Sequence, residues 1–126
     1  MRLAKTSIVL ALSVFSTLAA AGYTSPDPIV VNPSEGYAFG SLSGARYSSS
    51  PVEYLFCDQY STGNIACVAR DANGVSVRCS TTTAGNPSFA ETMRAMNGAS
   101  FVSIRWDPAT SVCTSILVRN GSNYLP

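Results

Sequence analysis

Apolar and polar residues alternate most regularly between Ile65 and Thr82, in two runs that are separated by Asn73 and Gly74. The apolar positions of the two runs are Ile65, Cys67, Ala69, Val75, Val77 and Cys79. Alternation with a period of two places one set of side chains on each face of a strand. The pattern therefore predicts a β-hairpin whose two arms each carry a cysteine on the apolar face.

The register of this hairpin depends on the length of its turn. An Asn-Gly pair between strands favours a two-residue loop, which would put Cys67 opposite Ser80 and mix the two faces. A three-residue loop over residues 72–74, with Gly74 in the left-handed conformation, puts Cys67 opposite Cys79 instead. Because a slip of one residue turns every side chain to the wrong face, the three-residue loop is the predicted one.

This register also predicts how the cysteines pair. Directly opposed residues have Cα atoms about 4.5–5.5 Å apart, which is within disulfide reach. We therefore expect a disulfide between Cys67 and Cys79. Since the chain has four cysteines, Cys57 and Cys113 are then left to form the second disulfide.

Other extended segments flank the hairpin. They are predicted at residues 37–48, 52–58, 101–107 and 112–119, and the third of them places Val102, Ile104 and Trp106 on one face. In the first segment, Gly40 and Gly44 interrupt the extended run. Glycines at such positions indicate a bulge or a barrel corner, in one bent strand or in a pair of strands.

One helix is predicted after the hairpin. Its apolar stripe consists of Phe89, Met93 and Met96, which recur at helical spacing. Two starts are open: Asn86 as the cap with Pro87 in the first position, or Ser88 and Glu91 as a capping box. An Asn-Gly pair at 97–98 is the predicted stop.

The order of elements predicts a mainly β fold with one short helix, of the α+β class. Two disulfides are expected to cross-link this fold. Two architectures fit this order. One is a small antiparallel sheet with the helix packed on one face, and the other is an OB-like barrel.

The N-terminus has the features of a secretory signal peptide over residues 1–21. Arg2 and Lys5 precede a short uncharged apolar run, and small residues at 19–21 fit cleavage before Gly22. The run is short for a bilayer, and no second run of spanning length follows, so we expect no membrane span in the mature chain. The protein is therefore expected to be exported, to the periplasm or outside the cell, and to form disulfides there.

The mature chain is expected to begin with a Pro-rich extended arm over residues 22–36, followed by a single domain over residues 37–126. The arm carries one apolar patch, at residues 29–31. It is either a linker or loosely docked segment, or a segment whose patch docks on a sheet edge of its own molecule or of a neighbour.

The mature chain lacks the side chains that many catalytic sites require. Without the signal peptide it has no lysine or histidine, and six arginines face seven acidic residues. This excludes histidine-based triads and lysine nucleophiles, and the cysteines are expected to be paired. The net charge of the mature chain is close to zero, so the sequence does not indicate a basic surface for nucleic acid. We therefore predict that the protein is not an enzyme and that it binds no metal and no cofactor. A carboxylate-based hydrolase is an alternative, because the mature chain contains acidic residues. These acidic residues are Asp27, Glu35, Glu53, Asp58, Asp71, Glu91 and Asp107.

A binding surface is the more specific hypothesis. The candidate residues, which alternation places on outward faces or which offer flat polar-tipped rings, are Arg70, Arg78, Arg105, Arg119, Tyr47 and Tyr54. Alternatively, these arginines pair with Glu53, Asp58 and Asp71, and the tyrosines cap the core. The partner expected for such a surface is a protein or a carbohydrate.

Four stretches together resemble a group of small exported proteobacterial proteins of unassigned role. They are residues 40–48, the Cys-x-Ala-Arg-Asp-Ala-x-Gly stretch that begins at Cys67, the Arg-Cys-Ser-Thr stretch at 78–81, and the stretch from Cys113 to Val118. The resemblance covers most of the mature chain and implies export and a disulfide framework. The leading functional hypothesis is an exported, non-enzymatic interaction or structural protein. It has two alternatives, an OB-like module that binds a peptide or a sugar and the small carboxylate-based hydrolase.

Overall fold

The computed structural model describes residues 22–125, so the predicted signal peptide lies outside the described residues. The described residues form seven strands: β1 (Val30–Asn32), β2 (Tyr37–Ser41), β3 (Tyr54–Gln59), β4 (Asn64–Arg70), β5 (Ser76–Thr82), β6 (Ser100–Asp107) and β7 (Val112–Asn120). Two short helices, α1 (Leu42–Tyr47) and α2 (Pro87–Met93), and a 3₁₀ turn (Ser122–Tyr124) complete it. The predicted mainly β fold with two disulfides is confirmed.

All seven strands belong to one sheet, in the order β1-β2-β6-β7-β5-β4-β3. Neighbouring strands are antiparallel except β5 and β7, which are parallel and share a single registered pair, Ser80 and Val112. The sheet therefore consists of two antiparallel halves, β1-β2-β6-β7 and β3-β4-β5, joined at the β5–β7 contact. Of the two predicted architectures, the sheet is the one observed.

The central hairpin has the predicted register. Cys67 lies opposite Cys79. Asp71 donates its N–H to the carbonyl of Val75 at 3.1 Å, which closes a loop of three residues. Gly74 has a φ of 84°, the left-handed conformation that the loop requires.

The predicted disulfide pairing is wrong. The bonds are Cys57–Cys67 and Cys79–Cys113. Cys67 also lies directly opposite Cys57 across β3 and β4, with a Cα–Cα distance of 4.0 Å. This distance is that of a non-hydrogen-bonded pair, in which side chains approach most closely. The register on the β5 side was correct, but Cys67 has a nearer cysteine on its other side.

The region around Gly40 and Gly44 also differs from the prediction. The chain leaves β2 at Ser41, whose hydroxyl accepts the N–H of Gly44 at 2.9 Å and caps α1 in place of an extended segment. The two glycines allow the N-terminal arm to cross closely. A Cβ at Gly40 would lie 2.7 Å from the carbonyl oxygen of Pro28, and one at Gly44 would lie 2.5 Å from that of Asp27.

The arm belongs to the fold of its own chain. Residues 30–32 pair with β2 as an edge strand, and Ile29 is buried in the core. The Ile29 N–H donates to the carboxylate of Glu53, which precedes β3. Of the alternatives for the apolar patch at residues 29–31, docking on a sheet edge of its own molecule is therefore the one observed.

Helix α2 begins where the first of the two predicted starts places it. Asn86 caps it by accepting the N–H of Phe89 at 3.2 Å, and Pro87 occupies the first helical position. Phe89 and Met93 are buried in the core, with Met96 packed against it. The helix ends at Met93, one turn before the predicted stop. The inner face of the sheet adds Val102, Ile104 and Trp106, as predicted.

Gly40→Ala tests the close crossing of the arm. The added methyl group would meet the backbone of residues 28 and 29, which cannot move without displacing the buried Ile29. We expect a loss of about 1–3 kcal/mol in the free energy of unfolding, measured by urea denaturation. Gly98→Ala is the matched control, because a Cβ there meets nothing within 4 Å. Equal effects of the two substitutions would contradict the crossing.

The two disulfides are expected to contribute unequally to stability. Cys57–Cys67 links residues 10 apart in sequence and Cys79–Cys113 links residues 34 apart. Loop-closure entropy makes the longer link worth about 1 kcal/mol more. Urea denaturation of Cys57→Ala/Cys67→Ala and of Cys79→Ala/Cys113→Ala should show the larger loss in the second variant. A larger loss in the first variant would contradict this ranking.

Candidate functional site

The sheet has one face in the core and one outer face, and alternation divides its residues between them. The outer face of β3, β4 and β5 carries Tyr54, Phe56, Asp58, Asn64, Ala66, Val68, Arg70, Ser76, Arg78, Ser80 and Thr82. The outer face of β2, β6 and β7 carries Tyr37, Phe39, Phe101, Ser103, Arg105, Ser115, Leu117 and Arg119. Five of the six candidate binding residues therefore lie on the outer face, and Tyr47 does not.

Tyr54 and Arg70 lie together near the turn of the central hairpin. They are registered partners across β3 and β4, and the ring of Phe56 lies 5.8 Å from that of Tyr54. The Arg70 guanidinium reaches over the turn, since a Cβ at Gly74 would be 3.4 Å from its Nη2. Arg70 is only partly exposed.

Arg105 and Arg119 lie on aromatic rings in the other half of the sheet. The Arg105 Cζ lies 5.8 Å from the ring centroid of Tyr37, and the Arg119 Cζ lies 5.7 Å from that of Phe101. Both distances are in the range of cation–π contacts. Phe39 lies 6.0 Å from both rings and connects the two contacts. This aromatic row was not predicted, although Tyr37, Phe39 and Phe101 alternate with the core positions of their strands.

The four arginines do not form one ladder. Ser80 on β5 is level with Val112 on β7, and the two strands run in the same direction. Arg78 precedes Ser80 by two positions, whereas Arg119 follows Val112 by seven. At about 3.3 Å per residue, these two arginines are about 30 Å apart along the strands. Arg70 and Arg78 thus belong to one half of the sheet, and Arg105 and Arg119 to the other.

Tyr47 lies apart from the sheet, at the end of α1. Its side chain is 64% exposed and lies beneath the guanidinium of Arg46 at 5.9 Å. It lines a shallow hollow between the arm and the C-terminal segment, with Pro26 and Leu125. Tyr47 therefore belongs to a different surface from the other five candidates.

A groove lies at the junction of the two halves, and we call it the junction groove. Its volume is about 800 Å³. Its outer-face lining consists of Asn64, Ala66, Arg78, Ser80, Thr82 and Val112, and Tyr60 and Thr62 add to it from the β3–β4 turn. Ala66 is only 2% exposed, although it points outward. Of the six predicted residues, Arg78 is the one that lines this groove.

Several carboxylates bind the backbone or a nearby hydroxyl. Asp71 accepts the N–H groups of Asn73 and Val75, both at 2.9 Å, and Asp107 accepts that of Ala109 at 2.8 Å. Glu53 holds the arm, as described above. In residues 22–125, the side chains that line the junction groove include no aspartate or glutamate.

No helix between residues 22 and 125 is long and apolar enough to cross a membrane. Within the same range, no three acidic, histidine or cysteine side chains cluster in a way that could hold a metal ion.

Comparison with protein families, with curated proteins and with solved structures found no match.

A double-mutant cycle between Arg119 and Phe101 tests whether the arginine stabilises the sheet. We expect a coupling of about 0.5–1 kcal/mol in the free energy of unfolding from Arg119→Ala and Phe101→Leu. Arg119→Ala with Phe56→Leu is the control cycle, because Phe56 lies in the other half of the sheet, and its coupling should be near zero. No coupling in the first cycle would contradict the cation–π contact.

Proposed function

We propose that the protein is an exported, non-enzymatic binding protein that holds a carbohydrate in the junction groove. The observation that carries this proposal is the lining of the groove. Hydroxyl groups of Ser80 and Thr82, the amide of Asn64 and the guanidinium of Arg78 line the groove together with the apolar side chain of Val112. These groups can exchange hydrogen bonds with sugar hydroxyls.

Tyr60 supports a carbohydrate ligand in particular. Its side chain lines the groove and is 50% exposed, and its ring offers an apolar face with a polar tip. A sugar ring has an apolar face of C–H groups that packs on such a surface, and its hydroxyls remain free for the polar lining. The groove therefore matches both the apolar and the polar character of a saccharide.

The charge of the groove favours an acidic saccharide over a neutral one. Arg78 supplies the one formal charge of the lining within the described chain, and it is exposed at the groove. A guanidinium binds a carboxylate through charge-assisted hydrogen bonds, which are stronger than neutral ones. We infer that a saccharide with a carboxylate binds more tightly than its neutral counterpart.

The absence of acidic side chains from the lining, within residues 22–125, supports a binding role over hydrolysis. A carboxylate-based glycosidase needs two carboxyl groups that flank the bond to be cleaved. Export is supported by the N-terminal sequence pattern and by two disulfides, which are compatible with an oxidising compartment. We also propose membership of the exported proteobacterial group that the sequence resembles.

Screening of the mature protein against an array of neutral and acidic oligosaccharides tests the proposal. Tyr60→Ala and Arg78→Ala should each weaken binding of the best saccharide about tenfold, which corresponds to about 1.4 kcal/mol. Isothermal titration calorimetry measures the affinities.

Two controls distinguish the groove from the rest of the surface. Tyr23→Ala removes a tyrosine that is 80% exposed and outside the groove lining, and Arg105→Ala removes an arginine of the other half-sheet. Both should bind as the parent protein does. Binding that is lost in the controls but kept in Tyr60→Ala and Arg78→Ala would overturn the assignment, and so would an array on which no saccharide binds.

A further inference from the structure

The four cysteines form a single row across four adjacent strands. Cys57 on β3 lies opposite Cys67 on β4, and Cys67 lies opposite Cys79 on β5. The bond from Cys79 to Cys113 continues the row to β7, with a Cα–Cα distance of 5.1 Å. Two disulfides therefore lie end to end in the row, and Cys67 and Cys79 are the neighbours between them.

The backbone hydrogen bonds show how close these neighbours are. Asp71 and Val75 share a hydrogen bond at the end of the hairpin. Hydrogen-bonded pairs recur at every second residue of an antiparallel ladder, so Cys67 and Cys79 form such a pair. Their Cα atoms are then about 5.5 Å apart, within the usual span of a disulfide.

Access from solvent is limited to one end of the row. Cys67, Cys79 and Cys113 are at most 1% exposed. Cys57 is partly exposed and lies on β3, which is an edge strand. An external thiol therefore meets the row at Cys57.

We propose that the cysteine row is a thiol–disulfide relay, in which a small monothiol that attacks Cys57 releases Cys113 at the other end. The external thiolate bonds to the Cys57 sulfur, and the Cys57–Cys67 bond breaks to give a Cys67 thiolate. This thiolate attacks the Cys79 sulfur, the Cys79–Cys113 bond breaks, and Cys113 leaves as a thiolate that takes up a proton. One sulfur–sulfur bond forms for each that breaks, so the electrons balance without another reactant.

The relay changes the junction between the two halves of the sheet. Cys79 and Cys113 are adjacent to Ser80 and Val112, the one registered pair of β5 and β7. Both of these residues line the junction groove. Transfer of the bond to Cys67–Cys79 removes the covalent link between the halves beside the groove. An effect on saccharide binding rests on the proposed function, whereas the exchange itself does not.

The test uses the folded mature protein and reduced glutathione. After reaction, free thiols are alkylated at acidic pH in denaturant, where exchange is quenched, and tryptic peptides are mapped by mass spectrometry. The relay predicts glutathione on Cys57, a Cys67–Cys79 bond and the alkyl label on Cys113. A label on Cys67, with Cys79–Cys113 intact, would overturn it. The absence of any glutathione adduct would also overturn it, because Cys57 would not be the entry.

Two variants distinguish the attack of Cys67 on Cys79 from the attack of glutathione on Cys57. In Cys79→Ala/Cys113→Ala the label must stay on Cys67, because no second disulfide is present. In Cys57→Ala the Cys67 thiol exists without glutathione, and the relay predicts a label shared between Cys67 and Cys113. A label confined to Cys67 in Cys57→Ala, with folding verified by circular dichroism, would overturn the exchange. Saccharide affinity of the glutathione-treated protein, measured separately, tests only the effect on the groove.

Discussion

The fold depends on the register of β4, because this strand has a cysteine partner on either side. Cys67 is completely buried and lies opposite both Cys57 and Cys79. A slip of one residue would turn Cys67 and its apolar neighbours to the outer face and separate it from both. The hairpin turn at residues 71–75 sets this register locally, and the disulfide to Cys57 holds it across the neighbouring strand.

The same row of cysteines explains how two antiparallel half-sheets become one. β5 and β7 share a single registered residue pair, which is little pairing for a junction at the centre of a sheet. The Cys79–Cys113 bond crosses this junction on the core side, and the groove borders the same junction. β7 continues well beyond the end of β5, so the two halves are offset along the strands. The groove, and with it the proposed binding site, lies where the two halves meet.

Local patterns predicted the local structure. The hairpin register, the start of α2 and the buried face of β6 depend on residues near one another in sequence, and all three are confirmed. The disulfide pairing was wrong because it required the register of Cys57 against Cys67, which depends on where β3 lies in the sheet. Helix α1 was missed because the glycines at 40 and 44 serve the crossing of the arm, a contact with residues distant in sequence. Alternation placed Arg70, Arg78, Arg105 and Arg119 on outward faces, but it could not show that the strand order puts them in separate halves.

Tryptic mapping of the unreduced mature protein tests the cysteine row most directly. Cleavage after arginine separates residues 47–70, which hold Cys57 and Cys67, from residues 79–94 with Cys79 and residues 106–119 with Cys113. The structure predicts that the first peptide carries an internal disulfide and that the other two are joined to each other. A single species in which all three peptides are linked would contradict the pairing, and with it the account of the sheet and of the relay.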